Sequence, residues 1–180
     1  MIVKEIQVPP EWEITNDWDS HRPMLWLATQ NKGLDIVEMG SGNGSTLLLD
    51  TWCHNAEDSK FLSIEDTPEK GVMPIYGYSI IRDGYLKIRD RWPEIFKSFE
   101  VGILFVDCAP GETRKTLIEE WANEADVIIA HDTEESAQYV YGMSEILYTF
   151  KYRLDYQPEC KPHSVAVSNF IDVTKWITQD

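Results

Sequence analysis

Short apolar runs alternate along the chain with longer segments whose apolar residues fall on one side, the pattern of an α/β domain built on a mainly parallel sheet. The run "LDIVEMG", residues 34–40, predicts a first strand. After it, "STLLLDTWCH" predicts a helix opened by the capping residues Ser45 and Thr46 and carrying a broad apolar face. "KFLSIED" predicts a second strand ending at Asp66, and "GYSIIRD" a weaker third. "VGILFVD", residues 101–107, is almost wholly apolar, as expected of a strand covered on both faces. "GETRKTLIEEWANEA" predicts a helix with Leu117, Ile118 and Trp121 along one side, "DVIIAHD" a fifth strand, and "TEESAQYVYGMSEILYTF" a helix broken near Gly142. The strand-like segments "YRLDYQP" and "HSVAVSNFIDV" leave no room for a helix between them, so they predict a terminal antiparallel hairpin.

Before the first strand, "SHRPMLWLATQ" reads as a helix entered at Ser20 with Pro23 in its first turn, preceded by Trp12 and Trp18 as core or lid residues. No repeat or linker divides the chain. The expectation is one domain over residues 1–180, with an N-terminal helix or lid segment at 1–33 and the core at 34–172.

Between the first strand and its helix lies Glu38-Met39-Gly40-Ser41-Gly42-Asn43-Gly44, an acid followed by glycines at every second position. A strand, a glycine-rich turn and a helix together offer backbone N–H groups to a polar ligand. Counting from Gly40, the sixth position of a dinucleotide G-x-G-x-x-G is Ser45 instead of glycine, and no Gly-Lys-Ser/Thr of a P-loop is present. An acid at the strand end also suits an ammonium better than a diphosphate. About 20 residues on, the second strand ends in "SIED", placing Glu65 where an acid accepts hydrogen bonds from ribose hydroxyls.

This E-x-G-x-G-x-G turn, with the strand plan from Leu34 to Asp172, resembles the class I S-adenosylmethionine-dependent methyltransferases, a Rossmann-like fold whose seven-stranded sheet ends in an antiparallel hairpin. The resemblance implies S-adenosylmethionine bound by Glu38, Gly40, Ser41, Gly42, Asn43 and Gly44, with Glu65 on the ribose beside Asp66, and Asp83 near the adenine. It also implies a strand order that sets the first and fifth strands beside the fourth, so that Asp107, His131 and Asp132 converge on one crevice. Those three residues are the expected catalytic set, with His131 as a proton acceptor oriented by an acid. They are also the candidate ligands for a divalent metal such as Mg2+, a position in which some small-molecule O-methyltransferases hold one; the imidazole tilts the set toward Mn2+, Zn2+ or Fe2+. His21 and Arg22 are candidates to close over the cofactor carboxylate. Arg114 reads as an exposed helix arginine, and His54 and His163 as ordinary residues.

Charge narrows the acceptor. Sixteen Lys and Arg against 31 Asp and Glu give a formal charge of −15, which repels a phosphate backbone, and no D-P-P-Y type signature follows Asp107. The expectation is methyl transfer to an oxygen, before a nitrogen, of a small molecule, with nucleic acid not expected as partner. A lyase or aminopropyltransferase on the same fold, or a cofactor-binding module without catalysis, remain as alternatives. The three cysteines, Cys53, Cys108 and Cys160, form no disulfide or zinc framework, and no apolar run approaches the ~20 residues that cross a bilayer, so a cytoplasmic protein without membrane contact is expected.

Overall fold

A computed structural model describes residues 1–30, 35–67, 71–81, 92–159 and 162–177. Among these residues eight strands form one sheet: β1 (Ile2–Val3), β2 (Asp35–Met39), β3 (Phe61–Glu65), β4 (Tyr78–Ile81), β5 (Val101–Val106), β6 (Val127–His131), β7 (Tyr152–Tyr156) and β8 (Ser164–Ser168). Their order across the sheet is β1-β7-β8-β6-β5-β2-β3-β4. All pairings are parallel except β6 with β8 and β7 with β8. The terminal hairpin and the placing of the first and fifth core strands beside the fourth are as expected. The extra strand, Ile2–Val3, is too short to show a period of its own; it takes its place by pairing in parallel with Asp155 and Tyr156.

Among the described residues six α-helices connect the strands: α1 (Arg22–Thr29), α2 (Thr46–Asn55), α3 (Trp92–Ile95), α4 (Thr113–Trp121), α5 (Glu135–Val140) and α6 (Met143–Leu147). Pro23 sits in the first turn of α1, as its fixed φ favours. The break between α5 and α6 is at Gly142, whose φ of 67° suits a residue without Cβ. Among the described residues no helix is long and apolar enough to cross a membrane.

Because strand side chains alternate, the central strands feed two cores at once. Val37, Met39, Leu104, Val106, Ile128 and Ala130 face one core, closed by Leu117, Ile118 and Trp121 of α4 and by Met143 and Leu147 of α6. Ile36, Ile103, Phe105, Val127 and Ile129 face the other, closed by Met24, Leu25 and Ala28 of α1 and by Leu49 and Cys53 of α2. The result is a sheet sandwiched between helical layers, and the same alternation decides which side each residue beyond the strand ends faces. Trp12 joins the second core, whereas Trp18 is 80% exposed.

One polar residue organises the approach to the weak strand β4. Asp50, buried in α2, accepts backbone N–H groups from Ile75 at 2.6 Å, Tyr76 at 3.0 Å and Gly77 at 2.7 Å. Three charge-assisted bonds to one carboxylate replace the regular pattern that this segment lacks. Removing their shared acceptor leaves three part-buried donors to water, so Asp50→Ala is expected to lower unfolding free energy by about 2 kcal/mol in urea titration, with Asp50→Asn losing less.

Candidate cofactor and active site

Three strand ends converge. Register pairs Met39 of β2 with Val106 of β5, and Val106 with Ala130 of β6, so Gly40, Asp107 and His131 stand level at the carboxyl edge. Sheet order reverses between β2 and β5, and a crevice at such a point is where open α/β sheets bind ligands. Gly40 has φ of 103°, and a Cβ there would lie 2.3 Å from the Asp107 carbonyl oxygen. Gly42 differs: a Cβ there would meet nothing within 4 Å, so this part of the loop borders open space. At Gly44 the space is taken by Asp19 and His21, with Asp19 Oδ1 only 2.8 Å from where a Cβ would stand.

The acids near the loop hold it from below. Glu38 is fully buried, and its carboxylate accepts the hydroxyls of Ser45, Thr46 (2.7 Å) and Ser63 (2.6 Å). Thr46 Oγ1 in turn accepts the Gly42 N–H at 2.8 Å, so Ser45 and Thr46, expected as helix caps, instead link Glu38 to the glycine turn. Burial pushes the Glu38 carboxyl up to about 7 against the downward pull of the three hydroxyls. Glu65 accepts the Ser41 N–H at 3.1 Å through Oε2 and the Thr67 N–H at 2.7 Å through Oε1, which fixes its carboxylate beside the loop. Asp66 follows it, half-buried. Asp83 lies outside the described residues.

Asp107 and His131 continue the alternation of Phe105 and Ile129 and so project toward α1. His131 Nδ1 is 3.1 Å from Asp107 Oδ2, and its Nε2 is 2.9 Å from Ser20 Oγ. The imidazole is 2% exposed, which leaves it without an open path to an acceptor. Burial works against the imidazolium, but the charge and hydrogen bond of Asp107, aided by Asp132, outweigh it and raise the His131 pKa. Asp107 is correspondingly held well below the usual carboxylate range: His131 and Arg114 overcome the opposing effect of burial.

Arg114 is a correction to the sequence reading. It is buried, not exposed: α4 carries it under the ends of β5 and β6, where it donates to the Cys108 carbonyl (2.9 Å), the His131 carbonyl (3.0 Å), Asp107 Oδ1 (3.0 Å) and Asp132 Oδ2 (2.8 Å). Asp132 is held there with φ of 54°, an unusual conformation that aspartate tolerates better than most residues. The expected metal set is therefore partly engaged elsewhere, since Asp132 Oδ1 stays 3.8 Å from His131 Nδ1 while its other oxygen serves Arg114.

The N-terminal segment closes over this edge. Asp19 accepts from Asn16 Nδ2 at 2.9 Å and pairs with Arg22 at 3.1 Å, and Arg22 Nε donates to the Gly44 carbonyl at 2.8 Å. Arg22 thus grips the glycine loop itself. His21 is buried against Phe105 and His131, with ring centroids 4.9 and 4.7 Å away. Burial and the neighbouring His131 push its pKa down to about 3. A lone histidine before a helix gave no sign of this in the sequence. His54 stacks on Tyr76, and His163 donates its backbone N–H to Glu134. Cys53 and Cys108 are free and buried, and Cys160 is outside the described residues. A cavity of about 820 Å3 lined by Phe96, Phe99 and Trp121 lies at the opposite strand ends, beside Val101 and Asp126, away from these groups.

No family model matches the chain, and no curated protein matches its sequence. Solved structures do match its fold. A protein from Plasmodium falciparum named as a ribosomal RNA methyltransferase is 16% identical, covering 83% of this chain and 92% of its own, at a TM-score of 0.54. The METTL16 MTase domain is 12% identical, covering 93% and 74%, at 0.52, and the human methyltransferase 10 domain containing protein is 12% identical, covering 92% and 88%, at 0.51. The fold is the one the glycine turn suggested, that of the class I methyltransferases. The expectation of a small-molecule acceptor, with nucleic acid set aside, is corrected by the likeness to a protein named for ribosomal RNA. The formal charge of −15 is a sum over the chain and does not fix the potential at one crevice.

Glu38 provides a pH test. Its folded pKa is raised, so its contribution is fully present below the unfolded value near 4.5 and is lost as pH rises through about 7. The stability difference between Glu38→Gln and wild type, measured in urea at pH 4.5 and 8, is expected to move in the variant's favour by about 3 kcal/mol on raising the pH.

Proposed function

We propose that the chain binds S-adenosylmethionine in the crevice over Gly42 and transfers its methyl group to RNA. The observation that carries the cofactor reading is the open space at Gly42, bordered by Glu65 and set at the reversal of strand order. The residues present fit the group: Gly40, Ser41, Gly42, Asn43 and Gly44 supply a backbone wall without large side chains. Each Glu65 oxygen accepts one N–H and keeps a lone pair for a ribose hydroxyl, with Asp66 next to it. Glu38 shapes the loop from beneath and does not touch the ligand. The cofactor supplies an already activated methyl group, so the protein's task is alignment of the acceptor, which can be worth ~7 to 11 kcal/mol. Asp107 and Asp132, whose side chains are 24% and 21% exposed, are the groups an acceptor reaches. His131 and Arg114 are positioning residues that orient them. RNA is the acceptor class supported by the likeness to the Plasmodium falciparum protein.

Two glycine variants separate fold from function. Gly42→Ala is expected to melt within about 2 °C of wild type, because the added methyl meets nothing. It should nevertheless lose the rise in melting temperature that S-adenosylhomocysteine gives the wild type. Gly40→Ala, with its positive φ and backbone clash, is expected to cost about 3 kcal/mol with or without ligand. A wild type indifferent to both S-adenosylmethionine and S-adenosylhomocysteine would sink the cofactor reading. For the acceptor, label from the methyl-tritiated cofactor should enter RNA and be released by ribonuclease; turnover that leaves RNA unlabelled would overturn the RNA assignment alone.

A further inference from the structure

Behind the crevice, and independent of the cofactor reading, two imidazoles and a carboxylate share one small volume. His21, Asp107 and His131 each offer a ligand atom, and these atoms lie within 4.8 Å of one another. His21 and His131 are each 2% exposed. Both ring nitrogens of His21 are buried, and beyond the Gly44 backbone, which acts on one of them, no group among the described residues fills the ring's remaining lone pair. In native structures such a group marks a water, an ion or a catalytic role. We propose that His21, Asp107 and His131 bind a divalent transition-metal ion, with zinc as the representative ion.

The surroundings are prepared for it. Ser20 Oγ lies 2.9 Å from His131 Nε2; with an ion bound it would accept the Nε2–H and leave Nδ1, which otherwise hydrogen-bonds Asp107, free to ligate, as outer partners of metal-bound histidines do. The 3.1 Å between His131 Nδ1 and Asp107 Oδ2 is close to the separation of two ligands that each stand ~2 Å from a tetrahedral ion. Arg114 occupies the other Asp107 oxygen, Oδ1, at 3.0 Å, so Oδ2 is the one left to face the histidines. His21 enters from the chain just before α1, and the knot of Asn16, Asp19 and Arg22 against Gly44 fixes its position. A pair of imidazoles with one carboxylate selects zinc or a neighbouring first-row ion over Mg2+, which prefers an all-oxygen shell. The ion would thus join the ends of β5 and β6 to the N-terminal segment, with His21 in the place that the family resemblance had given to Asp132.

The test uses the full chain, stripped with a chelator and titrated with zinc against a chromophoric competitor. One ion per chain is expected, and Co2+ in its place should give the visible d–d bands of a four- or five-coordinate ion. His21→Ala should weaken zinc binding by roughly 100-fold or more, while Asp132→Asn changes it less than tenfold. His21→Gln, which retains more of the ring's volume, repeats the test should the alanine variant fail to fold; circular dichroism distinguishes the cases. Absence of stoichiometric zinc binding by the folded wild type, or equal affinity in a folded His21 variant, would overturn the site.

Discussion

The ends of β2 and β5 pass each other so closely that only a residue without a side chain fits at Gly40. A Cβ there would stand 2.3 Å from the Asp107 carbonyl oxygen and 2.8 Å from the Cys108 Cα, both backbone atoms that cannot rotate away. This approach is what brings the glycine turn and the acid of the fourth core strand to one edge. The bond from the Asp107 N–H to the Met39 carbonyl, at 2.9 Å, carries the pairing to its last residue. Everything at the site is placed relative to that contact: the open space at Gly42, Glu65 one strand away on one side, and His131 one strand away on the other.

Such an edge concentrates charge where little water reaches, and the chain offsets that cost in different ways. Arg114 ties Asp107 and Asp132 together, so two carboxylates share one guanidinium. Among the described residues Glu38 has no cation in contact and relies on three hydroxyls, and burial raises its pKa. Removing one member of a buried charged group generally costs more than the group's net contribution, because it leaves the partner uncompensated. The geometry of the crevice is therefore held as a unit.

Much of this was legible in the chain. Strands with both faces buried, such as "VGILFV", declare themselves by unbroken apolarity, and the helix break at Gly142 and the terminal hairpin by residue type and spacing. The glycine turn and Glu65 were found by counting. Arg114 was not, because a basic residue early in an amphipathic helix looks the same whether it reaches water or folds under two strand ends. Ser20 and Asp50 were missed for a related reason, and His21, expected over the cofactor carboxylate, packs on His131 instead. Their roles arise from groups 25 or more residues away that only the sheet order brings near. The charge argument failed because a sum over the whole chain carries no information about one crevice.

The account depends most on what occupies the space above Gly42. A crystal structure of the protein with S-adenosylhomocysteine is the direct measurement. The account predicts density against Gly42 with the ribose hydroxyls within hydrogen-bonding distance of Glu65. Ligand density confined to the cavity of Phe96, Phe99 and Trp121, or a crevice left empty at saturating ligand, would contradict it.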